Sequence, residues 1–490
     1  MAAFAFLREV ALATSFGAGA AVDAYLVALA IPFLINTSIA SMLEAAFIPV
    51  YLGCKSEGGP MRATRFAGAV HLWVLAGSAV LTLGMYAALP LLLPLQAPGF
   101  PTERLISAQR LARLMAPSIF FGSLYALGRS VLNAERRFIT PALAPGIAAC
   151  VTIAVILGGR QSLGISAAAI GYTAGTAALW LTVYLPVVTN RFPEYGLVQE
   201  WRNADVFRLL RSAGPLVLGV VAMSAIPVVD RFMASRFPVG VISALSYADR
   251  VMQAPLAILV TTVTTAVFPA LSQFAARQDL VGLRRTLGTG IQLIAMSLVP
   301  VAVLLALLSR DVVTILFERG QFTPSDVQTT AGAVSALAIG LVFAGLFQLV
   351  PRVFNAMQLT SLVALSGFMN LGFKTAFNVL LVPRLGYIGF ALATSAMYAA
   401  TGTIMLWLLR QRIKNLDLAR ILPALSATFV GAALMAIVGR GAMGLLHASP
   451  PLIRLVFTAG TAGAVYAATL WIAGGRPTNR ADWRQFHEVV

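Results

Sequence analysis

Charge is scarce in this chain. Of its 490 residues only 11% are Asp, Glu, Lys or Arg, less than half the share usual in a soluble domain. That excludes a soluble globular enzyme and a disordered chain. Acid is scarcer still: 18 Asp and Glu stand against 35 Lys and Arg, a net charge of +17. In a soluble protein such an excess would suggest nucleic acid. Here most basic residues lie in short stretches between apolar runs, where the positive-inside rule puts them, so no nucleic-acid partner is expected. Two cysteines, Cys54 and Cys150, are too few for a disulfide framework or a metal cluster. Three histidines, His71, His447 and His487, form no metal-ligand spacing. The chain has no Gly-rich phosphate loop, no HExxH and no GxSxG elbow. No enzyme chemistry and no bound cofactor are therefore expected. The opening MAAFAFLREVALATSFG has neither a basic n-region nor a clean cleavage site and reads as part of a mature membrane helix.

What is present is apolar sequence, 59% of the chain. It falls into runs long enough to cross a bilayer. Fourteen spans are expected, roughly 1–16, 24–52, 67–94, 108–134, 140–158, 163–188, 206–232, 242–274, 286–309, 328–356, 360–382, 386–409, 421–439 and 451–473. An even number places both termini on one side. Alternate loops carry most of the positive charge. One set holds Lys55, Arg62 and Arg65; Arg136 and Arg137; Arg191 and Arg202; Arg277, Arg284 and Arg285; Arg410, Arg412 and Lys414; and the tail Arg476, Arg480 and Arg484. The other set, with fewer per loop, includes Arg104, Arg160, Arg236, Arg310, Arg319, Arg384 and Arg440. The richer side is expected to be cytoplasmic, termini included.

The chain also repeats itself. Leu132-Asn133-Ala134 and Phe354-Asn355-Ala356 each end an apolar run, at an offset of 222 (355 minus 133). Leu163-Gly164 and Leu385-Gly386 open the sixth and twelfth spans at the same offset. Pro32 and Pro255 differ by 223 (255 minus 32), and Pro49 and Pro269 by 220 (269 minus 49). Four anchors in order indicate two homologous lobes of six spans each: 1–190, and 191–412. The remaining 413–490 holds two further spans and a tail. Repeats in parallel order are related by an axis along the membrane normal, as in transporters whose halves rock about a central cavity. A duplication serving only packing is the alternative. Measured against its own repeat, the first span is short by about ten to fifteen residues, through a misassigned start or a truncated helix.

Ionisable side chains inside apolar runs are costly and usually face a cavity. Arg8 and Glu9 lie in the first span, Asp23 at the start of the second and Glu44 inside it. Arg129 is near the end of the fourth. Asp230 and Arg231 close the seventh, Asp249 and Arg250 lie early in the eighth, and Lys374 is mid-span in the eleventh. Arg8 and Arg250 come from different lobes; if the lobes face each other, both guanidiniums enter one cavity, and their planar forks suit pyrophosphate oxygens. The alternative pairs Arg8 with Glu9 and Arg250 with Asp249. Adjacent helical residues do not face each other, which argues against it. Arg129 and Arg231, near span ends, are expected to snorkel. Asp23, after the loop GAGAAV, is expected to cap the second helix, or to gate. Glu44, Asp230, Asp249 and Lys374 are candidates for gating or coupling; Glu44 and Lys374 could instead bridge spans.

Three segments resemble the MurJ/MviN family of lipid II flippases, within the superfamily that also contains multidrug and polysaccharide exporters. They are REVALATSFGAGAAVDAY from Arg8 to Tyr25, SALSYADRVMQAP from Ser243 to Pro255 followed by AVFPALS, and LFERGQFT from Leu316 to Thr323. The resemblance runs over the whole chain. It implies an all-helical fold of two six-helix lobes around a cationic cavity, with two further helices forming a groove for a lipid tail. It also implies translocation of an undecaprenyl-pyrophosphate-linked peptidoglycan precursor from the inner to the outer leaflet of the bacterial cytoplasmic membrane, by a protein acting as a monomer. Arg8 and Arg250 match positions that face substrate, and Asp23 matches an acidic position of the first loop. There are departures: where the family has an Arg-rich stretch after the second-span proline, this chain reads FLINTSIASMLEAAFIP, with Asn36 near the place of an arginine. A paralogue moving another lipid-linked saccharide is therefore the second reading. A cation-coupled drug exporter, with an acidic, aromatic-lined cavity, is the third. The chemistry calls for no cofactor; the membrane potential or a monovalent cation would supply the drive.

Overall fold

The computed structural model describes residues 2–189, 201, 203–413 and 418–473. Arg191, Arg202, Lys414, Arg476, Arg480, Arg484 and His487 lie outside the described residues, and the expected junctions near 190 and 413 adjoin such stretches. All regular structure among the described residues is helical. This follows from the composition: where no water can satisfy the backbone, a helix satisfies it internally.

By internal contacts the chain divides into two compact units, Met1–Ser243 with Arg319–Phe322, and Ala244–Glu318 with Thr323–Val490. The first holds α1 (Ala2–Phe16), α2 (Ala20–Met42), α3 (Ile48–Gln96), α4 (Thr102–Met115), α5 (Pro117–Ala134), α6 (Ile139–Gly159), α7 (Ser166–Thr189), α8 (Ala204–Ser224), α9 (Ile226–Ala234) and the start of α10 (Val241–Pro255). The second holds the rest of α10, then α11 (Thr261–Ala276), α12 (Leu280–Leu307), α13 (Ser309–Phe317), α14 (Pro324–Ala338), α15 (Leu341–Ala356), α16 (Thr360–Leu385), α17 (Ile388–Ile413), α18 (Leu418–Leu445) and α19 (Pro451–Ile472).

Among the described residues ten helical runs are long and apolar enough to cross a membrane, or eleven with α14 and α15, bent by 53° at their break, taken as one. One of the ten, Ala20–Gln96, has 77 residues. Laid straight it would measure about 115 Å, well beyond a hydrocarbon core of about 30 Å. It breaks at Gly59, whose φ of 71° no other residue adopts cheaply. Large apolar side chains such as Leu83, Leu91, Phe429, Ile437 and Val456 are exposed, the inverse of a soluble surface. The chain is a multi-pass membrane protein.

Proline decides where helices start and deform. Pro117, Pro324 and Pro451 stand at helix starts, where the missing N–H costs nothing. Two single turns widen to π geometry, Leu43–Phe47 ahead of Pro49 and Leu256–Val260 after Pro255. Pro49 cannot donate to the carbonyl four residues earlier, that of Ala45, and the extra residue of the π turn around it absorbs the mismatch. The two turns lie 213 residues apart (256 minus 43) rather than 222, so they do not follow the repeat. Helix starts do follow it: α14 begins 222 residues after α4 (324 minus 102) and α17 begins 222 after α7 (388 minus 166).

In the first unit α3 packs on α5 around Phe47, Tyr51, Phe66 and Leu127, all fully buried. Phe47 stacks on Phe66 with centroids 5.3 Å apart. The same pair of helices is tied at its end. Tyr51 Oη donates to Glu135 Oε1 at 2.8 Å, and Lys55 Nζ lies 2.7 and 2.8 Å from the two carboxylate oxygens. Partial burial works to raise the Glu135 pKa, but the Lys55 and Tyr51 hydrogen bonds outweigh it and hold it below its ordinary value of 4.5. A depressed carboxylate contributes stability above its unfolded pKa and loses it as pH falls through the folded one. Thermal unfolding of the wild type should therefore shift to lower temperature as pH drops below 4.5. Glu135→Gln should flatten that part of the profile.

Candidate functional site

The charged residues inside apolar helices do not stand alone. Arg8 on α1 pairs with its neighbour: Nη2 lies 2.7 Å from Glu9 Oε1, the side chains 27% and 7% exposed. This corrects the expectation from helix geometry that adjacent residues miss each other. That rule concerns Cβ directions, and a side chain as long as arginine's can curl back around the helix to reach a neighbour. Tyr25 of α2 and Tyr172 of α7 lie within electrostatic range of the guanidinium. Tyr172 lies near Asn36 and Ser118, whose buried Oδ1 and Oγ have no hydrogen-bond partner among the described residues, while Asn36 Nδ2 donates to Ser118 O at 3.2 Å. Asn36, near the place of the expected arginine, thus belongs to a polar nest with Arg8, Glu9, Tyr25, Ser118 and Tyr172. The last three were missed from sequence. The available signal was a hydroxyl at each position inside an apolar span.

Glu44 and Arg129 also pair. Glu44 sits on the π turn and Arg129 on α5, so the pair bridges spans. Arg129, expected to snorkel, meets a carboxylate on the neighbouring segment. Asp230 on α9 and Arg231 beside it each engage neighbours, as do Asp249 and Arg250 on α10. Arg250 is half-buried, and Asp249 acts electrostatically on Tyr398 of α17. Lys374 on α16 is fully buried. Its Nζ donates to Phe390 O at 2.9 Å and Thr394 Oγ1 at 2.7 Å, which ties α16 to α17. Buried Ser366, Asn370 and Asn378 lie along the same face of α16 at four-residue steps.

Asp23 does not cap its own helix. Gly19 is the N-cap of α2, and Asp23 lies one turn in. Its buried carboxylate instead accepts from Gly240 N at 2.7 Å and Ser243 N at 2.9 Å. These donors are orphan N–H groups at the start of α10, where a negative charge is favoured. Around it three loop segments of the first unit meet at van der Waals limits. Gly17, Gly240 and Gly320 have φ of 68°, 93° and 64°. A Cβ on each would lie 2.5 Å from Gln321 O, 2.4 Å from Ala18 O and 2.2 Å from Thr14 O respectively. Gln321 N donates to Thr14 O at 3.1 Å. The FGAG segment, the start of α10 and the RGQF segment are therefore one cluster, closed by glycines and latched by Asp23.

A sequence profile described as lipid II flippase MurJ matches residues 12–459. The chain belongs to the lipid II flippase MurJ family. A probable lipid II flippase MurJ of Rickettsia prowazekii is 28% identical over 403 residues, covering 80% of this chain and 78% of its own. One from Haemophilus influenzae is 26% identical over 423 residues, covering 82% of each. A solved structure of lipid II flippase MurJ in an inward closed conformation superposes with a TM-score of 0.82 at 22% identity, covering 96% of both chains. A multidrug resistance MATE family transporter in an inward-facing conformation reaches 0.72 at 15% identity, over 85% of this chain and 96% of that one. The fold is thus the MurJ fold, shared with MATE transporters. Like others of the MurJ family it is a transporter and not an enzyme.

The loop cluster yields a direct test. Gly320→Ala adds a Cβ where a carbonyl oxygen already sits, on a backbone with positive φ, and should cost about 1–3 kcal/mol of stability. Gly77→Ala, with nothing within 4 Å and a helical setting, should be neutral or slightly stabilising. Thermal unfolding of the two purified variants in one detergent decides it; equal melting temperatures would mean the cluster is looser than described.

Proposed function

We propose that this chain translocates a lipid-linked saccharide, the peptidoglycan precursor lipid II, from the inner to the outer leaflet of the bacterial cytoplasmic membrane. The family match over residues 12–459 carries this reading, and the curated relatives named as lipid II flippases support it. Fourteen crossings follow if the run Ala20–Gln96 counts as two at Gly59 and α1, the α8–α9 pair and the α14–α15 pair as one each. Two lobes of six spans, 1–190 and 191–412, with two further spans in 413–490, account for the recurring helix starts. Both termini are cytoplasmic on the distribution of loop arginines.

In this scheme Arg8 and Arg250 grip the pyrophosphate, as planar bidentate donors. Glu9 holds the Arg8 fork while the carrier is empty, and substrate oxygens replace it. Asp23 acts as a gate: releasing Gly240 and Ser243 frees the start of α10 from the FGAG loop. An inside-negative potential assists outward movement of an anion by about 2.3 kcal/mol per charge per 100 mV. A monovalent cation resetting the empty carrier is the companion role for Lys374, Glu44, Asp230 or Asp249. The protein works as a monomer. One observation favours a second reading, a paralogue for a different lipid-linked saccharide: Asn36 hydrogen-bonded to Ser118 stands where a further arginine would be expected.

Complementation of a strain depleted of its own lipid II flippase separates these. The unaltered chain should restore growth and the appearance of lipid II at the outer leaflet. Arg8→Ala and Arg250→Ala should each reduce flux at least about tenfold, the loss of one charge-assisted contact of roughly 1.4 kcal/mol or more, and the pair should abolish it. Growth supported by the double variant would remove the pyrophosphate clamp. Failure of the unaltered, membrane-inserted chain would favour the other saccharide.

A further inference from the structure

The second unit contains a cavity of about 510 Å³ that the transport scheme does not use. That volume lies within the roughly 300–1,000 Å³ usual for small-molecule sites. It opens among α13, the start of α14, and the facing ends of α18 and α19, lined by Arg310, Asp311, Thr314, Glu318 and Arg454 with a few apolar neighbours. The ends of two apolar spans mark this as the membrane–water boundary.

One wall is prebuilt. Asp311 is 3% exposed at its side chain and takes a two-pronged ion pair from Arg454, with Nε 2.9 Å from each carboxylate oxygen. Arg454 Nη1 also donates to His447 O at 3.3 Å, fixing the turn between α18 and α19. A guanidinium has five N–H donors, so Arg454 retains donors for a further acceptor. The pair is neutral as a whole.

The other charges are uncommitted. Among the described residues neither the Arg310 nor the Glu318 side chain has a hydrogen-bond or ion-pair partner. They stand at opposite ends of α13, eight residues and so about 12 Å apart at Cα. The cavity thus offers one free cation and one free anion, separated, beside a neutral donor-rich wall. A pyrophosphate, with its multiple negative charges, would meet Glu318 unfavourably. A ligand with a phosphodiester at one end and a primary ammonium at the other satisfies both ends. At the same ends of α18 and α19, Leu445, Leu452 and Ile453 are 84%, 59% and 53% exposed, apolar surface suited to acyl chains rather than water.

We propose that this cavity is a binding site for the headgroup of a zwitterionic amino-phospholipid, its phosphate on Arg310 and Arg454 and its ammonium on Glu318. The occupant is a bilayer lipid distinct from the cargo, and it steadies the turn joining α18 to α19.

Native mass spectrometry of the delipidated full chain, titrated with phosphatidylethanolamine or phosphatidylglycerol, tests this. Phosphatidylethanolamine should bind about fivefold tighter, the upper range for one partly exposed charge pair. Glu318→Gln should erase that preference, and Arg310→Ala should weaken both lipids. Neither side chain supports the fold, so melting temperatures should stay at the wild-type value, and the reading is confined to variants that meet this. Equal or tighter binding of phosphatidylglycerol by the wild type, or a preference untouched by Glu318→Gln, would overturn the proposal. A third arm adds inorganic phosphate at millimolar concentration. Retained lipid adducts support a lipid site; their displacement assigns the cavity to free phosphate instead. None of these readouts depends on flippase activity.

Discussion

Hydrocarbon offers no hydrogen bonds. Every backbone amide and every charge placed in it must find its partner within the protein. The first demand makes all regular structure among the described residues helical. The second explains where its few charges go. Glu9 lies against Arg8, Arg129 against Glu44, and the Lys374 ammonium against a carbonyl and a hydroxyl. The third case differs in kind. The ammonium donates to two neutral oxygens and so ties two helices, whereas the two arginines are matched by acids. Removing either acid would leave a guanidinium to find another anion.

Loops answer the same demand differently. Where α1 ends and α10 begins, the first four N–H groups of a helix need acceptors, and Asp23 supplies two of them from another helix. That carboxylate can reach its donors only because the intervening loops approach closely. Glycines at 17, 240 and 320 permit the approach, both through positive φ and through the absence of a Cβ. The resemblance between the FGAG and RGQF segments and their family counterparts therefore has a physical content: the two segments touch, and each contact consumes the space a side chain would need.

Much of this was legible in the sequence. Apolar runs announced an all-helical chain that crosses the membrane many times, and the 222-residue offset reappears in the helix starts of α4 and α14 and of α7 and α17. Partnerships were less legible, for reasons of distance. Asp23 was read as a local cap because local capping is the common use of aspartate after a glycine-rich loop. Its donors are 217 and 220 residues away, and nothing in a periodicity argument connects them. Arg8 and Glu9 failed in the opposite sense: they are too near for face-based reasoning, and the length of the arginine side chain decided the matter. Tyr172 and Ser118 were lost among small residues, because a single hydroxyl barely alters the apolar average of a span.

With Arg8 in its proposed role as a pyrophosphate ligand, its pair with Glu9 sets a condition on transport. A naked guanidinium in an apolar helix would carry a desolvation cost while the carrier is empty, and a deeply buried pair would hold its own carboxylate too firmly to release it. Arg8 lies between these limits, its side chain 27% exposed while Glu9 is 7% exposed. Exchanging Glu9 for another anion at Arg8 leaves behind a carboxylate that is itself largely buried. Binding of a phosphorylated head therefore requires a gain at Arg8 larger than the loss at Glu9. A pyrophosphate, with more oxygens and more charge than one carboxylate, meets that condition, and a neutral or cationic drug does not. With Arg8 in its proposed role, the same balance that lets the empty protein fold would select the class of cargo it can pick up.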